Sequence, residues 1–299
     1  MLYYAILMLS GENRMLKETV LIVGLGEVGH ALYDLFMESG EFDVYGYDVD
    51  KAKTRTITGK IELSKKVDVM HICIPCVKQD KFIQATVEYI RKIKPKLTII
   101  DSTVPPGTTQ KICETTKASI VDSPIRGMHQ NLETMKRDIR FWTKYVGGTT
   151  SESARAAKRH FEKLGLKVKI LKGPAETELA KIFETTYRAW MIACFQEMHR
   201  ISRSFAADFE EVVDMLADVH RVDLNKPLHF PDVIGGHCLT QNTELLLTVY
   251  DSEFLRLILE SNEKRKNEIK DKETREEIEK VKRKTEALQK ELKKKLSGS

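Results

Sequence analysis

The stretch "VIGGHCLTQN", residues 233–242, sets Cys238 behind two glycines and a histidine and ahead of a polar run. A thiol in such a place is a buried spectator, a metal ligand or a nucleophile, and the rest of the chain decides which. A second constellation lies near the start: Gly24, Gly26 and Gly29, with Glu27 and Val28 between the last two. Glycines at this spacing let a backbone turn tightly and approach a phosphate, whose charge a helix N-terminus then meets. A third is "DSTVPPGTT", residues 101–109, a stiff polar loop headed by Ser102 and Thr103. Cys73-Ile-Pro-Cys76 is formally C-x-x-C. It lacks the second pair of a zinc site and does not open a helix as a redox motif does. It reads as two small buried side chains, and no metal site is expected.

These residues need elements to position them. The glycine loop follows the strand-like "TVLIV" and opens an amphipathic helical pattern. Asp48 ends the next strand-like run, 24 residues after Gly24. That context makes Gly24, Gly26, Glu27, Val28, Gly29 and Asp48 a candidate dinucleotide site. A carboxylate at Asp48 accepts hydrogen bonds from ribose hydroxyls and repels a 2′-phosphate, so NAD is expected over NADP. Lys51 and Arg55, close by, keep NADP open. "VDVMHICIP", "LTIIDST" and "ASIVDSP" are further short β-rich runs, with helical patterns such as "KFIQATVEYIRKI" between them. Alternation of this kind predicts an α/β fold, a Rossmann-type doubly wound parallel sheet with helices on both faces. Ser102 and Thr103 then sit at the carboxyl edge of that sheet, where ligands bind. After "KVKIL" the chain turns helical. Residues 176–206 contain no proline or glycine and suit one long helix; "DFEEVVDMLADVH" is another, with Asp208 as N-cap. The expected plan is an extension over 1–14, a dinucleotide-binding domain over 15–172, a helical domain over 173–260 and a charged helical tail over 261–299.

With 299 residues, 41% of them hydrophobic, the chain can bury a sizeable core. The net charge of +5 lies in residues 263–296, which hold 14 basic and nine acidic side chains. The remainder is neutral, which argues against a nucleic-acid partner. Five cysteines at irregular spacing point to reduced thiols and a cytoplasmic location. The apolar run at the N-terminus is far short of the ~20 residues of a spanning helix, and no membrane partner is expected. In the tail, Ile278, Val281, Leu288 and Leu292 fit heptad positions with Thr285 between. The simplest reading there is a solvated helix, with a short coiled coil as the alternative.

In order and rough spacing, four features resemble the UDP-glucose/GDP-mannose dehydrogenases, the nucleotide-sugar dehydrogenases. They are the glycine loop at residues 24–29, the run Ser102-Thr103-Val104-Pro105, the segment "ELAKIFETTYRA" with Lys181, and Gly235-Gly236-His237-Cys238. The resemblance covers about residues 17–245. It implies NAD as cofactor, a Rossmann-like first domain, a helical domain that dimerises, and two-step oxidation of a primary alcohol of a nucleotide sugar to the carboxylate, a step of polysaccharide biosynthesis. It assigns Cys238 as the nucleophile that captures the aldehyde, and Lys181 as the cation beside the reacting oxygen. Thr103 becomes a residue that positions water and substrate, and Ser102 a cofactor contact. A homodimer packed through the long helix, with Trp190, Met191, Ile192 and Phe195, is expected.

The chain also departs from the family pattern, and the departures gather at the hydrolytic step. The family's Asn one turn after the lysine is Thr185, its Asp four residues after the cysteine is Asn242, and its Glu after the "SP" proline is Ile125, followed by Arg126. Asn242 can hold a water but cannot take its proton, so thioester cleavage is expected to be impaired. His237, His129 and Glu184 are candidate substitute bases. The family's second Rossmann-like domain is replaced by the charged tail, so the substrate could be smaller or be held by the segment containing Arg126 and His129. A partner chain could also supply the missing domain. Two alternatives stay open: a β-hydroxyacid-type dehydrogenase that uses Lys181 without the cysteine, and an NAD-binding protein that has lost turnover.

Overall fold

The structure, a computed structural model, describes residues 17–54, 66–127, 131–222, 229–235 and 237–297. The extension expected over residues 1–14, together with Arg55 and His129, falls outside them. The chain divides into two compact units, residues 1–181 and 182–299.

The first unit alternates strand and helix: β1 (Glu18–Val23), α1 (Glu27–Ser39), β2 (Phe42–Tyr47), α2 (Lys51–Thr54), β3 (Val69–Ile72), α3 (Gln79–Ile93), β4 (Leu97–Ile100), α4 (Thr108–Thr116), β5 (Ile120–Asp122), α5 (Leu132–Phe141), β6 (Lys144–Gly148), α6 (Ser151–Lys163) and β7 (Val168–Ile170). The strands form one sheet in the order β2-β1-β3-β4-β5-β6-β7. The first five are parallel. β3 and β4 are buried along their whole length, as strands covered on both faces must be, and they read as near-continuous apolar runs for that reason. The order doubles back at β1, so a crevice opens at the carboxyl ends of β1 and β3, the place where such sheets bind ligands.

The expected doubly wound parallel sheet is present, with a reversal of direction at β6. β6 runs antiparallel to β5, with Val121 opposite Gly148 and Asp122 opposite Gly147, and β7 then follows β6 in parallel. Small residues suit this reversed strand, because a Cβ on Gly147 would lie 2.3 Å from the Gly173 carbonyl oxygen.

α7 (Pro174–Ser204) is the single long helix expected, and its sequence leads into the second unit. There α8 (Phe209–Val222), α9 (His237–Leu247), α10 (Glu253–Glu268) and α11 (Lys272–Ser297) follow. Their core joins Phe195, Phe209, Val213, Ala217, Val281 and Leu288. This core overturns the solvated-helix reading of the tail. Ile278, Val281, Thr285 and Leu288 are all buried, and the seam they make finds a partner in α8 of the same chain. Lys284 pairs with Asp214 at 2.5 Å across that seam. The side chain of Leu292 lies outside the described residues. In α10, Arg265 is fully buried and donates to the Gln196 carbonyl oxygen at 3.0 Å, and burial pulls its guanidinium down to about 10. Among the described residues, no helix is long and apolar enough to cross a membrane.

Candidate functional site

The glycine loop joins β1 to α1. Gly24 sits at φ +90°, in the left-handed region, and a Cβ there would come within 2.8 Å of the Cys73 backbone at the end of β3. A Cβ on Gly29 would lie 1.8 Å from the Gly24 carbonyl oxygen, so only glycine allows α1 to pack this close to the loop. Gly26 is the N-cap of α1, with no side-chain cap and open space where its Cβ would be. Backbone N–H groups at a helix start without a side-chain cap, behind an open glycine, make a place for a pyrophosphate. Glu27, exposed, and Val28, half-buried, open the helix beside it. Asp48 follows β2 and is tied into the same loop: its carboxylate accepts from Leu25 N at 2.7 Å and from Asp50 N at 2.8 Å. A carboxylate oxygen has more than one lone pair, so Asp48 keeps capacity for ribose hydroxyls. The residues present therefore fit a dinucleotide. The Lys51 and Arg55 side chains that kept NADP open fall outside the described residues.

The "DSTVPPGTT" loop leaves β4 at the same edge. Ser102 Oγ donates to the Ile74 carbonyl at 2.6 Å, with the Ile72 carbonyl 3.1 Å away, which fixes the loop to the end of β3. Ser102 and Thr103 are both half-buried. Beneath them Asp101 is buried between His71 Nδ1 at 2.7 Å and Lys144 Nζ at 2.9 Å. Burial alone would raise its carboxyl, but Lys144 and His71 outweigh it and hold Asp101 below the usual carboxylate range. The chain of groups continues from His71 Nε2 to His160 Nε2 at 2.9 Å and from His160 Nδ1 to Glu18 at 2.6 Å. Lys181, half-buried in α7, closes the first unit. The C-x-x-C thiols are free; burial raises both, Cys76 to about 12, so neither is a ready thiolate.

In the second unit Cys238 occupies the first turn of α9 and is half-buried. The segment before it is held by amides from two helices. Gln196 of α7 donates to the Asp232 carbonyl at 2.8 Å, and Asn262 of α10 accepts from Ile234 N at 2.8 Å. Ser261 donates to Gln196 Oε1 at 2.6 Å, so the two supports are linked. One turn into α9, Asn242 is buried and its Nδ2 donates to Thr185 Oγ1 at 3.0 Å. Thr185 in turn donates to the Ile182 carbonyl at 2.8 Å. Two positions that depart from the family pattern are thus bonded to each other. Among the candidate substitute bases, Glu184 is exposed, and the His237 and His129 side chains lie outside the described residues.

The sequence reading missed several groups. Glu178, Asp122, His71, Lys144, Gln196 and Asn262 are buried polar residues around these loops. Nothing in one dimension marks them, because their partners stand 20 to 90 positions away; a polar residue inside an apolar strand, as His71 is, was the one signal present.

A glycine cradle, a strand-end carboxylate and a polar loop at the carboxyl edge of a mostly parallel sheet define a Rossmann-type dinucleotide-binding unit, here followed by a helical unit. Residues 175–267 match the central domain of the UDP-glucose/GDP-mannose dehydrogenase family. The chain is 26% identical over 270 residues to the UDP-N-acetyl-D-mannosamine dehydrogenase of Methanocaldococcus jannaschii, covering 77% of this chain and 61% of that protein's length. The structure of the UDP-D-ManNAc dehydrogenase from Pyrococcus horikoshii superposes with a TM-score of 0.69 at 21% identity, over 82% of this chain and 68% of that one. A 3-hydroxyisobutyrate dehydrogenase from Mycobacterium tuberculosis shares the fold with a TM-score of 0.62 at 14% identity, over 83% of this chain and 92% of that one. Over these residues the chain is similar to the UDP-glucose/GDP-mannose dehydrogenase family.

Proposed function

We propose that this chain is an NAD-dependent dehydrogenase that oxidises a primary alcohol of a nucleotide-sugar-like substrate, with Cys238 as nucleophile. The observation that carries this reading is the family match over residues 175–267, which contains both Lys181 and Cys238. The cytoplasm, where its five free cysteines stay reduced, is the proposed location.

Gly24, Gly26 and Gly29 with the start of α1 would hold the pyrophosphate of NAD, and Asp48 its ribose. Bound NAD supplies the hydride acceptor for each oxidation. Cys238 Sγ adds to the carbon of the first product, an aldehyde. A C–S bond forms, and the carbonyl electrons move to oxygen, where the Lys181 ammonium stabilises the negative charge. The thiohemiacetal carbon again bears a hydrogen, so a second oxidation leaves a thioester. Water then adds and expels the Cys238 thiolate, releasing the carboxylate. Thr103 positions substrate and water. Asn242 has no basic lone pair to take the water's proton, which makes hydrolysis the slow step. Exposed Phe183 and Tyr187 on α7, with Tyr250 and Phe254, give the helical unit an apolar surface suited to a second copy of the chain.

The test is a screen for NADH formation with UDP-N-acetylmannosamine, UDP-glucose and short hydroxy acids. Turnover of a nucleotide sugar that Cys238→Ser reduces to a single oxidation supports the proposal. The fold shared with 3-hydroxyisobutyrate dehydrogenase keeps a second reading: turnover of a hydroxy acid that survives Cys238→Ser would establish it instead. NADH binding without turnover of any of these would mean a binding protein.

A further inference from the structure

The N-terminus of α4 is capped from far away. Its N-cap is Gly107, left-handed at φ +86°, which has no side chain to offer. The acceptors come from Glu178 on α7: Oε2 takes the Gly107 N–H at 2.7 Å and Oε1 takes the Thr109 N–H at 2.8 Å. Thr108 ties the same turn to the Pro105 carbonyl at 2.5 Å and accepts from Gln79 at 2.9 Å. Residues 105–109 are therefore stitched to α7 at one carboxylate. Glu178 is 1% exposed and precedes Lys181 by three residues, so the two lie on neighbouring faces of one helical turn.

A cap alone does not explain this arrangement. A Ser or Thr at the N-cap with a Glu or Gln at N3 can satisfy both N–H groups locally, at the surface. Here a carboxylate is desolvated beside a second buried carboxyl, Asp122, whose own ionisation the Glu178 charge opposes. What the distant cap adds is a rigid link between two segments of the proposed site. We infer that Glu178 is a positioning residue: its ionised carboxylate joins the loop bearing Ser102 and Thr103 to the turn bearing Lys181 and sets their spacing. The inference rests on the proposed dehydrogenase function for its kinetic consequence, but not for its geometry.

The test compares wild type with Glu178→Gln, Glu178→Ala and Glu178→Asp. Hydrogen exchange at the Gly107 and Thr109 amides should accelerate at least ~10-fold at one of them in Glu178→Gln and at both in Glu178→Ala, with β1–β4 unchanged. Pulse acetylation of Lys181, referenced to Lys92, should change several-fold in Glu178→Ala. With a substrate in hand, kcat should fall about 10²-fold, while KM and the NADH Kd stay within about threefold; Glu178→Asp should recover part of kcat. NADH binding at the wild-type level identifies folded variants, and Glu178→Gln, of the same shape, guards against a misfolded Glu178→Ala. Unchanged exchange at both amides, or freed amides with Lys181 labelling and kcat unaltered, would overturn the inference. Wild type that turns over no substrate would defeat the proposed function alone, since exchange and labelling still decide the clamp.

Discussion

Replacing Asp122 with Asn should change how the stability of the first unit depends on pH. Asp122 ends β5 at 0% exposure, and neither carboxyl oxygen has a hydrogen-bond donor among the described residues. Burial, and next the charge of Glu178, push its pKa well above the ordinary 3.8. Burial raises Glu178 too, but two backbone N–H groups donate to it. The charge of the pair therefore sits on Glu178 and the proton on Asp122. The folded state keeps a proton that the unfolded chain loses above 3.8. Folding is thus opposed more strongly as pH rises from 3.8 to the raised folded value, and the slope for one proton is about 1.4 kcal/mol per pH unit.

Asn keeps the shape of Asp and cannot titrate. Within that window, the stability of Asp122→Asn relative to wild type should grow by about 1.4 kcal/mol for each pH unit. Glu18 and Asp101 lose stabilising charge as pH falls, but they do so in both proteins and cancel. The chain has two tryptophans, Trp142 in the first unit and Trp190 in the second. In a Trp190→Phe background, Trp142 fluorescence follows the first unit through urea unfolding at pH 4.5, 5.5 and 6.5. A stability difference that stays constant across those three values would refute the reasoning, because Asp122 would then titrate alike in both states.

Three further outcomes are expected. Asp48→Ala should weaken NAD binding far more than NADP binding, measured by cofactor titration; equal affinity of the wild type for both would defeat the assignment of Asp48 to the ribose. Leu288→Ala should cost about 2–5 kcal/mol in urea unfolding of the helical unit, because the side chain lies in its core; a cost within about 0.5 kcal/mol would return α11 to solvent. A primary-alcohol substrate should give a burst of about two NADH per site followed by turnover slowed ~10²–10⁴-fold, with acyl-enzyme on Cys238 in intact-mass spectra; steady turnover without added mass would mean that hydrolysis is not limiting or that the thiol never acts.

The parallel core was legible because buried parallel strands advertise themselves. "TVLIV", "VDVMHICIP" and "LTIIDST" are apolar runs with no competing helical period, and they coincide with β1, β3 and β4 to within a few residues. The reversal at β6 was not legible, since "KYVGG" is short and its direction depends on how α5 returns the chain. α5 itself hid behind its charges, although Asn131, which accepts from Thr134 N at 2.9 Å, is an N-cap signal in plain sight. The tail misled for a related reason. Most of a polar helix can face water while one narrow seam of Ile278, Val281, Thr285 and Leu288 enters a core, and composition averages over the seam.

The site was legible residue by residue but not as pairs. Reading along the chain marks Thr185 and Asn242 as two separate losses from the family pattern, each removing a group that would handle water. In space they are one unit. Asn242 donates its amide N–H to Thr185 Oγ1, and the only hydroxyl proton of Thr185 is spent on the Ile182 carbonyl. Putting Asp alone at position 242 would aim a buried carboxylate at an oxygen with no proton to give, a costly arrangement. Putting Asn alone at position 185 would pair two amides, which can share a hydrogen bond but supply no base. By resemblance the family carries Asn and Asp at these two places, the same donor–acceptor pair with the roles exchanged. The two changes therefore support each other, and the helical turn keeps its bond while the carboxylate disappears. Asn242→Asp alone leaves a buried carboxylate unmatched and Thr185→Asn alone supplies no base, whereas Thr185→Asn with Asn242→Asp restores both the hydrogen bond and a base, so faster thioester cleavage should require the double variant.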